Sequence, residues 1–126
     1  MKAITSEIPA HDEVLRAIIA TALDNSISHW ADISDVLWHR CDMCGNRWAT
    51  FKVREKGCEL EGGWKEVDSG LVCSGLEEAL RPEAKTPKHI KTILTIALVN
   101  KDTSEISVEV ADCVMQFAVL GELLYG

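Results

Sequence analysis

The spacing of apolar residues changes twice along this chain, and these changes limit its fold more than any other feature. Near the start, Val14, Ile18 and Ala22 recur at the four-residue interval of one helix face. In the middle, Phe51 and Val53 alternate with polar residues, as in a half-buried β-strand. Helical spacing then returns in the second half of the sequence. The pattern predicts an α+β fold, with one helix before a group of strands and further helices after it.

The strands are predicted to form an antiparallel three-stranded meander packed against about four helices. The first helix covers about residues 10–25. Two strands follow, at 30–39 and around Ala49 to Val53, joined by a turn in a hairpin that spans about 38–58. A third strand at 64–72 has an interior weakened by Gly70. A meander is the simplest way to join these strands.

Three further helices are predicted after the strands. Ser74 and Glu77 fit a capping box, in which each side chain satisfies a backbone N–H group of the other residue at the start of a helix. Thr86, followed by proline, marks the start of the next helix, which ends near Asn100. The last helix covers about 104–120 and is apolar on more than one face. It is therefore predicted to be the central helix of the core.

The composition is that of one domain spanning residues 1–126, with 47% apolar and 26% charged residues. The longest apolar runs, at 93–99 and 114–120, fall far short of the roughly 20 residues that a membrane-spanning helix needs. No secretory leader is recognisable, so a cytoplasmic location is predicted. The net charge of −7 disfavours a nucleic-acid partner, because a phosphate backbone attracts clustered Lys and Arg.

Cys41 and Cys44, followed by glycine in a predicted hairpin turn, resemble a zinc knuckle. In such a turn both thiolates lie about 2.3 Å from one Zn²⁺, and glycine lets the backbone fold around them. Two cysteines supply only half of a tetrahedral site, and neighbouring residues must complete it. The predicted ligands of a structural zinc ion are Cys41, Cys44, His39 and Cys58.

The cysteine pair also has other interpretations. Cys41 and Cys44 could be free thiols in an exposed turn, or half of a Cys₄ zinc site shared by two chains in a homodimer. A redox pair is a weaker interpretation, since the low thiolate pKa of such pairs usually comes from a helix N-terminus. Cys73 and His29 are reserve ligands. However, Cys73 and Cys113 lie in or beside apolar segments and are predicted to be small buried side chains.

The four tryptophans all fall in the predicted sheet region. We expect Trp30 and Trp38 to pack the sheet onto the helices. Trp48 or Trp64 is expected to be exposed, because charged and polar residues surround both of them. Since large amphipathic side chains often dominate protein interfaces, Trp48 and Trp64 are the candidate partner-binding residues.

No catalytic motif is recognisable in the sequence. A nucleophile elbow, a phosphate-binding loop and a dinucleotide fingerprint are absent. The signature of the zinc deaminases, His-x-Glu before Pro-Cys-x-x-Cys, does not occur either. We therefore predict that the chain is not an enzyme.

Two stretches of the sequence resemble a set of small bacteriophage and prophage accessory proteins. Those proteins carry Thr-Ala-Leu-Glu-Gly-Gly, two residues and Tyr-Trp near the start, and Gly-Glu, two residues and Tyr-Gly at the end. Here residues 21–30 read TALDNSISHW and residues 111–126 read ADCVMQFAVLGELLYG. Asn25 and Ser26 replace the glycine pair, and His29 replaces the tyrosine.

The resemblance implies a viral accessory protein that acts in a host bacterial cell. Small phage proteins of this kind often bind and disable host defence machinery such as CRISPR effectors. The resemblance carries over no catalytic residues and does not include the cysteines. We predict an anti-CRISPR-like inhibitor that acts by protein–protein contact and holds a structural zinc ion. The alternatives are a zinc-knuckle module associated with nucleic acid and a thiol protein that uses the cysteine pair.

Overall fold

A computed structural model describes residues 9–40, 47–56 and 63–125. In chain order the elements are α1 (Pro9–Thr21), which runs into a π-helical turn (Ala22–Ser26), β1 (Ala31–Arg40), β2 (Arg47–Glu55), β3 (Lys65–Val67), α2 (Ser69–Ala79), α3 (Lys88–Asn100) and α4 (Val108–Leu120). Within the described ranges, three strands and four α-helices confirm the predicted α+β fold.

The first helix and its π-helical turn together cover the predicted range of 10–25. Val14, Ile18 and Ile19 are fully buried, which explains the helical spacing of apolar residues in this part of the sequence. In the part of the chain that the structure describes, no helix combines the length and the apolar character needed to cross a membrane.

The three strands form an antiparallel sheet in the order β1-β2-β3, which confirms the predicted meander. β2 lies in the centre, and its Ala49, Phe51 and Val53 are buried on the side that contacts the helices. Complete burial of a side chain of this kind, such as Phe51, stabilises a fold by roughly 1.5–3 kcal/mol. The alternation in the sequence therefore marks the face of β2 that the helices cover.

β1 is irregular in its middle. Its pairing with β2 shifts between Ser34 and Leu37, so that Asp35 and Val36 together lie opposite Phe51. Asp35 has a φ of 57°, a left-handed conformation that Asp adopts more readily than most residues. Such a bulge bends a strand and redirects the side chains beside it.

The third strand is shorter than predicted. β3 ends at Val67, and Gly70, predicted to weaken a strand, lies in the first turn of α2. The side chain of Asp68 caps this helix by accepting a hydrogen bond of 2.9 Å from the backbone N–H of Leu71. The predicted capping box at Ser74 is therefore wrong, because Ser74 lies in the middle of α2.

α3 has its predicted buried face but not its predicted cap. Ile90, Leu94 and Ala97 are buried, and the helix ends at the predicted residue. Thr86 does not cap the helix, because its buried hydroxyl donates a hydrogen bond of 2.7 Å to the carbonyl oxygen of Ala79. This hydrogen bond ties the connection before α3 to the end of α2.

α4 is the central helix of the core, as predicted, although it begins at Val108 and not near Ser104. The side chain of Ser107 caps it by accepting a hydrogen bond from the backbone N–H of Val110. The helix ends at Leu120, and the residue that caps it, Gly121, has a φ of 84°, which suits glycine.

α2 and α4 approach each other closely at one glycine. A Cβ atom added to Gly75 would lie 2.7 Å from both the Cβ and the backbone nitrogen of Ala118. No side chain fits at that distance, so glycine is what allows the two backbones to come together. This contact sets the spacing of two core helices.

Candidate functional site

The predicted metal ligands lie mostly outside the described residues. Cys41, Cys44 and Cys58 belong to 41–46 and 57–62, which the described ranges do not include. His39 is half-buried in β1, and its Nε2 atom lies 3.1 Å from the hydroxyl oxygen of Thr50. Among the described residues, His, Cys, Asp and Glu side chains form no group of three that could hold a metal ion. The zinc site stays a prediction.

The described strands are paired up to the residues that flank 41–46 in the sequence. Arg40 at the end of β1 is paired with Arg47 at the start of β2. Cys41 follows Arg40 directly in the sequence.

Of the two predicted partner-binding tryptophans, Trp64 is exposed and Trp48 is described only through its backbone. Trp64 is 39% exposed, and the guanidinium carbon of Arg54 lies 4.5 Å from the centroid of its ring. A cation over an aromatic face is attracted by the ring quadrupole, which limits the orientations of Trp64. The backbone of Trp48 pairs with that of His39. Whether either tryptophan contacts a partner stays a prediction.

Trp30 and Trp38 were predicted to share one environment, but the structure separates them. Trp30 is buried, with 1% of its surface exposed, as expected. Trp38 is 43% exposed, so its prediction as a core residue is wrong. It pairs with Ala49 and lies on the helix-facing side of the sheet, but beyond the bulge in β1 the helices no longer cover the strand.

Three consecutive apolar side chains are exposed at this end of β1. Val36 is 44% exposed, Leu37 58% and Trp38 43%. β1 is an edge strand of the described sheet, and within the described ranges its outer edge has no neighbouring strand. Single exposed apolar residues are common on proteins, whereas three in succession on an edge strand mark a candidate interaction surface.

A groove lies beside two of these three side chains. One wall is the end of α1 with the π-helical turn, and the other is the helix-facing side of β1, at Ile33, Val36 and Trp38. The groove is open and has a volume of about 640 Å³. Leu37 does not line it, because side chains alternate between the two faces of a strand.

The two stretches that carry the phage-protein resemblance meet in the folded chain. The rings of Trp30 and Tyr125 are stacked, with centroids 5.9 Å apart and planes inclined by 7°. The indole Nε1 of Trp30 donates a hydrogen bond of 2.6 Å to Asp112, and the hydroxyl of Tyr125 donates one to Glu55. A stacked aromatic pair contributes roughly 0.5–1.5 kcal/mol beyond its buried area. Both aromatic residues therefore serve the fold.

Gln116 holds the backbone next to this aromatic pair. Its Oε1 accepts hydrogen bonds from the backbone N–H groups of Leu124, at 2.9 Å, and Tyr125, at 2.8 Å. Its Nε2 donates to the carbonyl oxygen of Tyr125, at 3.0 Å, and to Asp112, at 3.1 Å. Sequence reasoning missed this role. The available signal was a lone glutamine in an apolar run, four residues after an aspartate.

Cys73, Cys113 and His29 have neighbours within the fold. Burial, followed by the charge of Glu77, raises the pKa of the half-buried Cys73 thiol. Burial and the charge of Asp112 raise the pKa of Cys113 to about 11. Both are therefore protonated at neutral pH, and Cys113 is buried as predicted. The Nε2 atom of His29, a reserve ligand, lies 3.5 Å from Asp112.

Comparison of the chain with protein-family models, with curated proteins and with solved structures found no match.

Proposed function

We propose that this chain is a phage-type accessory protein that inhibits a host defence system, in the manner of an anti-CRISPR protein, by protein–protein contact. The observation that carries the proposal is the run of exposed apolar side chains at Val36, Leu37 and Trp38 on the edge of the sheet. Trp48 and Trp64 are further candidate contacts with the partner. The proposal includes a structural zinc ion with Cys41, Cys44, His39 and Cys58 as its ligands.

The edge strand β1 is a better candidate for binding than the residues that carry the phage-protein resemblance. Trp30 and Tyr125 are stacked against each other, and Trp30 is buried, so these motif residues are used within the fold. An inhibitor of this class needs other side chains to contact its target. Val36, Leu37 and Trp38 supply accessible apolar area, which is the main favourable term in protein association.

The charge of the chain suits a defence protein that binds nucleic acid. CRISPR effectors hold their guide–target duplex in a positively charged channel. A chain with a net charge of −7 is attracted to such a surface and repelled by the nucleic acid itself. The preferred partner is therefore the effector protein.

A phage-plating assay tests the proposal. Bacteria with an active CRISPR system against a test phage would express the wild-type chain, the variant Leu37→Asp or the control Val99→Asp, across a panel of CRISPR types. Val99 is 74% exposed on α3, so the control adds the same charge at a distant apolar position. We expect wild type and the control to restore plaques in at least one system. Leu37→Asp should restore about tenfold fewer, because a charge at a buried contact removes a large part of the binding energy.

Two results would contradict the proposal. One is that the wild-type chain restores plaques in no system of the panel. The other is that Leu37→Asp protects the phage as well as wild type does, which would place the contact elsewhere. Thermal unfolding of each purified variant is the control for folding, and exposed positions such as these should change stability by no more than about 0.5 kcal/mol.

A further inference from the structure

The groove beside β1 has apolar walls that a folded chain would ordinarily cover. Ile33 is half-buried, and exposure rises to 44% at Val36 and 43% at Trp38 further along the strand. Across the sheet, Val53 is paired with Ile33 and Ala49 with Trp38, and both Val53 and Ala49 are fully buried. The helix layer therefore covers β2 but stops short of β1 at this end, and the groove is the space that remains.

The charge of the groove is uneven. Asp24, in the π-helical turn, carries the only charge among the described residues that line it. The other acids of β1 have cations nearby, since Asp35 lies 3.4 Å from Lys52 and Asp32 lies 3.5 Å from Arg54. An occupant that places a cation beside Asp24 would gain attraction without displacing an existing ion pair.

A second copy of the chain is a poor occupant for this groove. Each copy has a net charge of −7, and a symmetric contact through the groove would place the Asp24 carboxylates of both copies in one interface. A segment with the opposite charge has the complementary properties. It needs an apolar side chain for the space between Leu23 and Trp38 and a basic residue for Asp24.

We infer that the groove binds an apolar side chain flanked by Lys or Arg on a partner protein. The inference rests on the proposed function, since it names the kind of surface that the inhibited protein presents. The apolar side chain displaces water from Val36 and Trp38, while the basic residue approaches Asp24. Because Asp24 is exposed, the attraction is screened by salt, and binding weakens as the ionic strength rises.

The test uses two synthetic amphipathic peptides of fourteen residues. One is built from Leu and Lys, and the other carries Glu in place of every Lys. Each is titrated into the ¹⁵N-labelled full chain and followed by NMR, with the indole N–H of Trp38 as the reporter. We expect the Leu/Lys peptide to shift the Trp38 indole signal and the amide signals of Thr21, Leu23 and Val36. The Leu/Glu peptide should leave them unchanged.

Matched variants separate the groove from general attraction to an acidic protein. Asp24→Lys should weaken the binding of the Leu/Lys peptide by about fivefold. Val36→Asp should also weaken its binding, because it adds a charge to the apolar wall. Glu105→Lys changes the net charge equally at an exposed position outside the groove and should have little effect. Equal weakening by Asp24→Lys and Glu105→Lys, or shifts spread over the whole surface, would overturn the inference.

The groove and the proposed function can fail separately. Leu37, which the plating assay changes, does not line the groove, whereas Asp24 and Val36 do. If the peptide shifts these signals specifically but no plaques are restored, the groove is a binding site and the proposal of defence inhibition is wrong. If plaques are restored in a way that depends on Leu37 but the peptide causes no specific shifts, the proposed function stands and the groove is not the site of a basic segment.

Discussion

Gln116 is fully buried in α4, and its amide uses its complete hydrogen-bonding capacity on the backbone of Leu124 and Tyr125 and on Asp112. An amide with two donors and two acceptor positions suits this task better than any other side chain. A carboxylate would lose both donors and would stand next to Asp112. The Gln116 side chain therefore links the central helix to the segment that carries Tyr125.

Replacement of Gln116 by leucine should therefore destabilise the fold. Gln116→Leu removes four hydrogen bonds at nearly constant volume and leaves two backbone N–H groups without their acceptor. We expect the free energy of unfolding to fall by about 3 kcal/mol, measured by urea denaturation. Thr95→Ala, at an exposed position on α3, is the control and should change it by less than about 0.5 kcal/mol. Equal stability of the two variants would mean that this segment contributes little to the fold.

Trp30 and Trp38 show how far a single residue can be predicted. Both stand in an apolar stretch with strand-like composition, which predicts burial for each of them. Burial of Trp38 also needs a neighbour above it, and the reach of α1 over β1 is a property of the tertiary structure. No local pattern in the sequence records where a helix layer ends.

At the scale of elements, the two glycines of α2 provide a matched comparison. Both glycines lie within a helix. A Cβ added at Gly75 would collide with the backbone of α4, whereas a Cβ added at Gly70 would lie 3.4 Å from a side-chain oxygen of Asp68. Gly75→Ala should destabilise the fold by about 3 kcal/mol, because the two helices must move apart. Gly70→Ala should stabilise it by about 0.5 kcal/mol, because the unfolded chain loses conformational freedom.

Thermal and urea unfolding of these two variants, with circular dichroism as the signal, would measure the difference. Equal effects would show that α2 and α4 can separate without loss of packing. A double variant Gly75→Ala with Ala118→Gly should recover only part of the loss, since the added Cβ would also lie 2.7 Å from the backbone nitrogen at position 118.

Most elements could be predicted from the sequence, because the buried residues of each element recur at one regular spacing. The alternation in β2 and the apolar stripe of α3 each match the face that the structure buries. The boundary between β3 and α2 could not be predicted. Asp68 and Ser74 are both good cap residues at the sequence level, and the choice between them depends on where Val67 leaves the sheet.

For the molecule as a whole, the predicted zinc ion would act on the sheet and its connections and not on the helices. The described core of α1, α2 and α4 contains none of the four predicted ligands. Elemental analysis of the purified protein should give about one zinc per chain, or about half if two chains share the site. A chelator should reduce the hydrogen-exchange protection of the paired Arg40 and Arg47 amides and leave the helical circular dichroism unchanged.

Cysteine variants provide the control for this zinc prediction. Cys41→Ser and Cys44→Ser should lower the zinc content, because each removes one thiolate ligand. Cys73→Ser should not, since the sulfur of Cys73 lies beside Glu77 on α2. Absence of zinc from the wild-type protein would leave the free-thiol interpretation of the cysteine pair. Loss of zinc in Cys73→Ser would make the reserve ligand part of the site.

The bulge at Asp35 also affects how the chain behaves at high concentration. An exposed edge strand with three apolar side chains in a row is a template on which identical strands can assemble into aggregates. Asp35 interrupts that template in its middle, because its left-handed backbone and its charge break the straight row of groups that another edge would need. The strand is thus a poor nucleus for fibrils of its own kind, although three of its apolar side chains are exposed.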